Sequence, residues 1–262
     1  MSIWQQTAYF LRHSWQAVPR NHIDSPFVHD FIQNVMSNTG QYYAFQSIEG
    51  YRKKLLANRD KLTVEDLGAG SKRLKGRQRS VADIARNSLI TPKYGQLLFH
   101  LMRHYQYRHA LELGTSLGIS AAYMAAVSGE STVISMEGSR EIAAMARKTW
   151  EDLGLKNCSV VTGNFDTTLQ EVLATSNTFD LIFIDGNHRY QPTVDYFQQC
   201  LPKLSSNGVI ILDDIHWSAE MHQAWNDICA QQTTGITIDL YHKGLVFPGV
   251  QKQGRQKFIL RY

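Results

Sequence analysis

No apolar run in this 262-residue chain approaches 18 residues, so no membrane-spanning helix is expected. The first residues lack a signal-peptide pattern, because Trp4, Gln5, Gln6, Arg12 and His13 interrupt the apolar positions. Cysteine is scarce. Cys158, Cys200 and Cys229 are odd in number and without CxxC spacing, so they read as reduced core thiols of a cytoplasmic protein. Internal repeats and low-complexity tracts are absent. What the chain does have is 43% hydrophobic and 11% aromatic residues, enough for a sizeable core, which excludes global disorder. The length suits one large α/β domain or two small ones.

The net charge of +4 hides an asymmetry. Residues 51–93 hold 12 Lys/Arg against 4 Asp/Glu, and the rest of the chain holds 15 against 19. Lys72, Arg73, Lys75, Arg77 and Arg79 are the densest part. Two readings are open: a solvated loop, or a site for phosphates, nucleic acid or acidic substrates.

Trp4, Ala8, Leu11 and Trp15 recur at helical spacing, as do Phe27, Val28, Phe31, Ile32 and Val35. Asp24 or Ser25 caps the second of these helices, with Pro26 in its first turn. Residues 65–79, rich in glycine and basic side chains, read as a loop, and residues 81–86 and 94–104 as helices. Strands and helices then alternate. Strands are expected at 110–114, 132–137, 159–163, 180–185 and 209–213. Helices are expected at 119–127, 140–153, 167–174, 194–201 and 219–230. This order implies a mostly parallel sheet with helices on both faces. Residues 239–262 read as an antiparallel hairpin closing it.

The chemistry concentrates at strand ends. The run 179–184 stops at Asp185-Gly186-Asn187-His188, and the run 208–212 stops at Asp213-Asp214. Both acids then lie on the sheet edge where open α/β sheets bind ligands. Carboxylates crowded there repel one another unless a cation or a shared proton offsets the charge. A third strand ends in Glu112-Leu113-Gly114-Thr115-Ser116-Leu117-Gly118, where the glycines permit a tight turn. Ser116 stands where a dinucleotide fingerprint has its second glycine, which argues against a pyrophosphate. Glu137, 25 residues after Glu112, ends the next strand, where an acid accepts hydrogen bonds from ribose hydroxyls.

Taken with Gly163-Asn164-Phe165, these motifs over residues 88–262 resemble the class I S-adenosylmethionine-dependent methyltransferases. Within that class the chain is similar to the metal-dependent O-methyltransferases of the catechol and macrocin types. The resemblance implies a Rossmann-like fold with a seven-stranded, mostly parallel sheet. It makes residues 88–262 the methyltransferase domain, and 1–87 a helical extension with a basic loop. It also implies that Glu112, Gly114 and Ser120 surround the methionine end of the cofactor and that Glu137 holds the ribose. Asn164 and Phe165 would lie beside the adenine, with Thr115, Ser116, Gly118, Gly138 and Asp185 completing the cofactor site. Thr91, Pro92 and Gln96 fall in a segment that closes over it.

By the same resemblance Asp185, Asp213 and Asp214 are metal ligands, with all-oxygen ligation suited to Mg²⁺. His188 is the general base, since its ordinary pKa near 6.5 suits proton abstraction at neutral pH. His216 and Trp217 are expected to shape the acceptor pocket. The catechol type has Asn where this chain has Asp214 and Lys where it has His188, whereas the macrocin type has His. These departures point away from a catechol.

The expected activity is methyl transfer from S-adenosylmethionine to a hydroxyl of a small molecule, assisted by a divalent cation. The alternatives are an RNA or phosphorylated acceptor, and a non-catalytic S-adenosylmethionine-binding protein. Nucleic acid is the weaker partner, no membrane partner is expected, and a homodimer is open.

Overall fold

The computed structural model describes residues 3–19, 22–65, 77–175, 178–250 and 254–262. Two compact units divide the chain, one made of residues 1–37 and 177–262, the other of residues 38–176. Beyond a short antiparallel pair, the described residues hold eight strands of mixed, mostly parallel pairing, three in the unit 38–176 and five in the other.

In the unit 38–176, α3 (Tyr43–Ala57) lies in the extension expected to be helical, although no helix was placed at these residues. Strands β1 (Lys61–Thr63) and β2 (Gln78–Ser80) pair antiparallel at the ends of the segment read as a loop. Lys72, Arg73 and Lys75 lie outside the described residues; Arg77 is exposed and Arg79 half-buried. Ser80 caps α4 (Val81–Ser88), accepting from the Asp83 amide at 3.1 Å. Helix α5 (Pro92–His104) follows, with Pro92 at its first turn.

Strands β3 (His109–Leu113), β4 (Thr132–Glu137) and β5 (Cys158–Thr162) then run parallel in the order β3-β4-β5. Parallel neighbours need crossover connections. Helices α6 (Ile119–Ala125) and α7 (Arg140–Asp152) supply them, and α8 (Phe165–Thr175) follows β5. Each of the seven residues of α6 is buried, which accounts for its apolar character all round.

In the other unit, Ser25 caps α2 (Pro26–Phe31), and a π-helical turn over Ile32–Met36 extends it. Strands β6 (Phe179–Ile184) and β7 (Leu204–Asp213) are parallel and joined through α9 (Tyr190–Cys200). Helix α10 (Ala219–Gln231) leads to β8 (Gly235–Asp239), β9 (Lys243–Phe247) and β10 (Arg255–Ile259). The order is β10-β8-β9-β7-β6.

Two expectations are corrected here. These two sets together count eight strands among the described residues, not seven. The C-terminal segment is not a simple hairpin: β9 inserts antiparallel between β7 and β8, and β10 pairs parallel with β8. Gly235 makes the entry to β8 possible. Its φ is +92°, and a Cβ there would stand 2.4 Å from the Phe247 carbonyl oxygen.

Helix α1 (Ile3–Gln16) is tied to these last strands. His13 Nε2 lies 3.0 Å from Asp239 Oδ1, the Val18 amide donates to the Ile259 carbonyl at 2.9 Å, and Arg261 donates to the Ser14 carbonyl.

Candidate cofactor site and acid cluster

The turn after β3 is built as its glycines suggested. Gly114 has φ +110°, Ser116 +47° and Gly118 +82°. Packing also fixes Gly118: Trp150 donates its indole N–H to the Gly118 carbonyl at 2.8 Å, and a Cβ would meet that nitrogen at 2.7 Å. Glu137, the last residue of β4, accepts from the Ser116 amide at Oε2 and the Ser139 amide at Oε1, each at 3.0 Å.

Behind the turn, buried Glu112 accepts from the Ser135 hydroxyl, which also pairs with Thr115 Oγ1. Burial pushes the Glu112 carboxyl up to about 7, against the pull of the Ser120 and Ser135 hydroxyls. Glu112 Oε1 and Ser116 Oγ are buried without a well-formed hydrogen bond. Unsatisfied polar atoms in a core are costly, and a ligand's ammonium and carboxylate would satisfy them. These residues therefore fit an amino-acid tail and a ribose, as S-adenosylmethionine requires.

Asn164 is exposed and caps α8, its Oδ1 accepting from the Asp166 amide at 3.1 Å, with Phe165 half-buried beside it. Gly138 is half-buried and Ser120 buried. Thr91 precedes α5 as its cap residue without a side-chain hydrogen bond, and Gln96 is half-buried within the helix.

The acids of the other unit cluster as the strand ends implied. Asp185 follows β6, Asp213 ends β7 and Asp214 follows it with φ +53°. His188 Nε2 is 3.6 Å from Asp185 Oδ1. Burial, and next the charge of Asp213, raise Asp185 well above the ordinary carboxylate range. Burial would raise Asp213 too, but Lys243 and the hydrogen bond with Asp185 more than offset it and hold it below its ordinary value. The two carboxyls are thus pushed in opposite directions, Asp185 up and Asp213 down. Burial and Asp213 push Asp214 up to about 6.

Sequence reasoning missed Lys243. Strand β9 places it directly opposite Asp213, where side chains share a face, and its Nζ is hydrogen-bonded to Asp213 Oδ1. The same oxygen accepts the Asp214 amide at 2.7 Å. The two donors fill the lone pairs of Oδ1. Asp213 is therefore not an open carboxylate, and with the Lys243 ammonium already on it the three acids as arranged fit a divalent ion poorly. Among the described residues no group of three or more His, Cys, Asp or Glu is placed to hold a metal. The only sequence signal was a lysine at the start of a strand, and the register that makes it relevant is not visible in the order of residues.

His216 is not an open pocket residue. It is buried, its Nε2 2.8 Å from Asp239 Oδ2 and its Nδ1 2.8 Å from His222 Nδ1. Asp239 also accepts from the Trp225 indole and the Tyr241 amide, which makes it a saturated structural anchor. Trp217 is half-buried, its ring centroid 6.4 Å from that of His188. The three cysteines are free thiols; Cys200 and Cys229 are buried, and burial raises them to about 12 and about 11.

Residues 111–215 match the family model described as a methyltransferase domain. The chain is 34% identical over 128 residues to a catechol O-methyltransferase of Niastella koreensis, covering 48% of this chain and 57% of that protein. It is 28% identical over 147 residues to the catechol O-methyltransferase domain-containing protein 1 of Mus musculus, covering 52% and 53%. The chain thus spans about half the length of the curated relatives it matches. An O-methyltransferase structure from Bacillus cereus in complex with S-adenosylhomocysteine superposes with a TM-score of 0.56 at 20% identity, covering 84% of this chain and 97% of that one. At that identity the likeness is one of fold. The resemblance to class I S-adenosylmethionine-dependent methyltransferases is borne out, and the relatives matched are of the catechol O-methyltransferase type.

Proposed function

We propose that this protein is an S-adenosylmethionine-dependent O-methyltransferase acting on a hydroxyl of a small molecule, with residues 88–262 as its catalytic domain. The observation that carries the reading is Glu137, held at the end of β4 by two backbone amides beside the glycine turn, where an acid meets ribose hydroxyls. The match over residues 111–215 and the names of the relatives support the class of reaction and of acceptor.

In this reading Glu137 accepts the ribose hydroxyls. Glu112, Gly114, Thr115, Ser116, Gly118 and Ser120 receive the amino-acid tail, and Gly138, Asn164 and Phe165 flank the base. When bound, S-adenosylmethionine supplies a methyl group on a sulfonium, which departs as a neutral thioether as the new C–O bond forms. A neutral hydroxyl is a weak nucleophile, so a base must take its proton. His188 has that role, its ring beside the Asp185 carboxyl. Asp185 and Asp214 orient the acceptor. The Mg²⁺ expected from the family has no step here, because Lys243 engages Asp213. A cytoplasmic location fits the free thiols. Exposed Phe10, Leu11 and Trp15 on α1 support a homodimer.

The test is transfer of isotope-labelled methyl from S-adenosylmethionine to a panel of small phenols, sugars and short RNA. Label on a hydroxylated small molecule is expected, and label on RNA alone would replace this reading with its alternative.

A further inference from the structure

We propose that Lys243 is the resident cation of the acid cluster and that the cluster takes up no divalent metal ion. The argument is geometric. Four ladder pairs fix β9 against β7, from Ile210↔Val246 to Asp213↔Lys243, so the ammonium is delivered by strand register and not by a chance swing of a surface side chain. Both groups are out of water: Lys243 is 5% exposed and Asp213 8%. The Lys243 ammonium also stands over the Phe183 ring, 5.3 Å from its centroid, a second contact favouring a positive charge at this spot.

A divalent ion on Asp213 would have to displace the lysine or the Asp214 amide from Oδ1, or bind through Oδ2 alone with the ammonium held on the other oxygen of the same carboxylate. Displacing the lysine would strand its charge in a buried place beside a second cation, and both effects are unfavourable. A lysine ammonium is a compact point charge with three donors. It can neutralise a carboxylate as a metal does, but it brings no open coordination position for an acceptor oxygen. For the catalytic consequence this inference rests on the methyltransferase reading: acceptor activation then falls to His188 and the carboxyls.

The experiment is Mn²⁺ titration of the intact protein, reading free Mn²⁺ by electron paramagnetic resonance, with S-adenosylhomocysteine binding measured by calorimetry on the same sample. The wild-type chain is expected to leave the free Mn²⁺ signal as in buffer, and Lys243→Gln to take up one Mn²⁺ per chain. Lys243→Arg keeps the charge and is expected to behave as wild type, which keeps the test decisive if the glutamine variant does not fold. One Mn²⁺ per wild-type chain, lost in Asp213→Asn, would overturn the proposal. Absence of S-adenosylhomocysteine binding would instead strike the methyltransferase reading and leave the Mn²⁺ result to judge Lys243.

Discussion

Lys243 and Asp213 face each other across the antiparallel pair of β7 and β9 and are joined by a hydrogen bond inside the unit. A carboxylate that the sequence offers to a metal is thereby already neutralised. The sequence allowed two ways to relieve crowded acids, a cation or a shared proton. The structure supplies the cation as Lys243, while burial and the charge of Asp213 raise the Asp185 carboxyl.

Breaking a buried ion pair on one side leaves an uncompensated charge, at about 3–5 kcal/mol. Lys243→Met is therefore expected to be destabilised by about that amount, and Lys243→Met with Asp213→Asn to recover at least half of it. Urea unfolding of the four members of this cycle measures the coupling. Additive effects would mean that the two groups do not interact.

Glu112 sets a pH dependence of stability in the unit 38–176. Its carboxyl stands near 7 in the folded chain, against an ordinary value of 4.5. Between those values the folded form keeps a proton that the unfolded form releases, so this contribution is whole below about 4.5 and is lost as pH rises through about 7. Glu112→Gln keeps an acceptor for Ser135 and should flatten that slope. At pH 8 it should exceed wild type by up to about 3 kcal/mol, an upper figure from the size of the shift. Parallel stability profiles for the two proteins between pH 5 and 8 would contradict this.

The alternating strands and helices from residue 109 onward were legible because each buried strand is a short apolar run and each helix keeps its period. Helix α3 was not. Its buried positions Phe45, Ile48, Tyr51, Arg52 and Leu55 do recur at helical spacing. However, a buried arginine stands among them, paired with Glu49, and Tyr42 gives no capping side chain. The insertion of β9 was hidden because an antiparallel strand between two parallel neighbours has the same local pattern as a hairpin strand. The same reason hid Lys243, since partnership across a sheet depends on register and not on separation along the chain. His216 misled because a histidine beside two acids looks reactive, while its anchor Asp239 lies 23 residues away.

The central claim is that Glu137 and the glycine turn hold S-adenosylmethionine, and calorimetric titration with S-adenosylhomocysteine tests it most directly. Wild type is expected to bind one ligand per chain. Glu137→Ala should bind about 5- to 150-fold more weakly, the equivalent of losing about 1–3 kcal/mol of hydrogen bonding. Absence of heat in wild type, or equal affinity in the two proteins, would contradict the account.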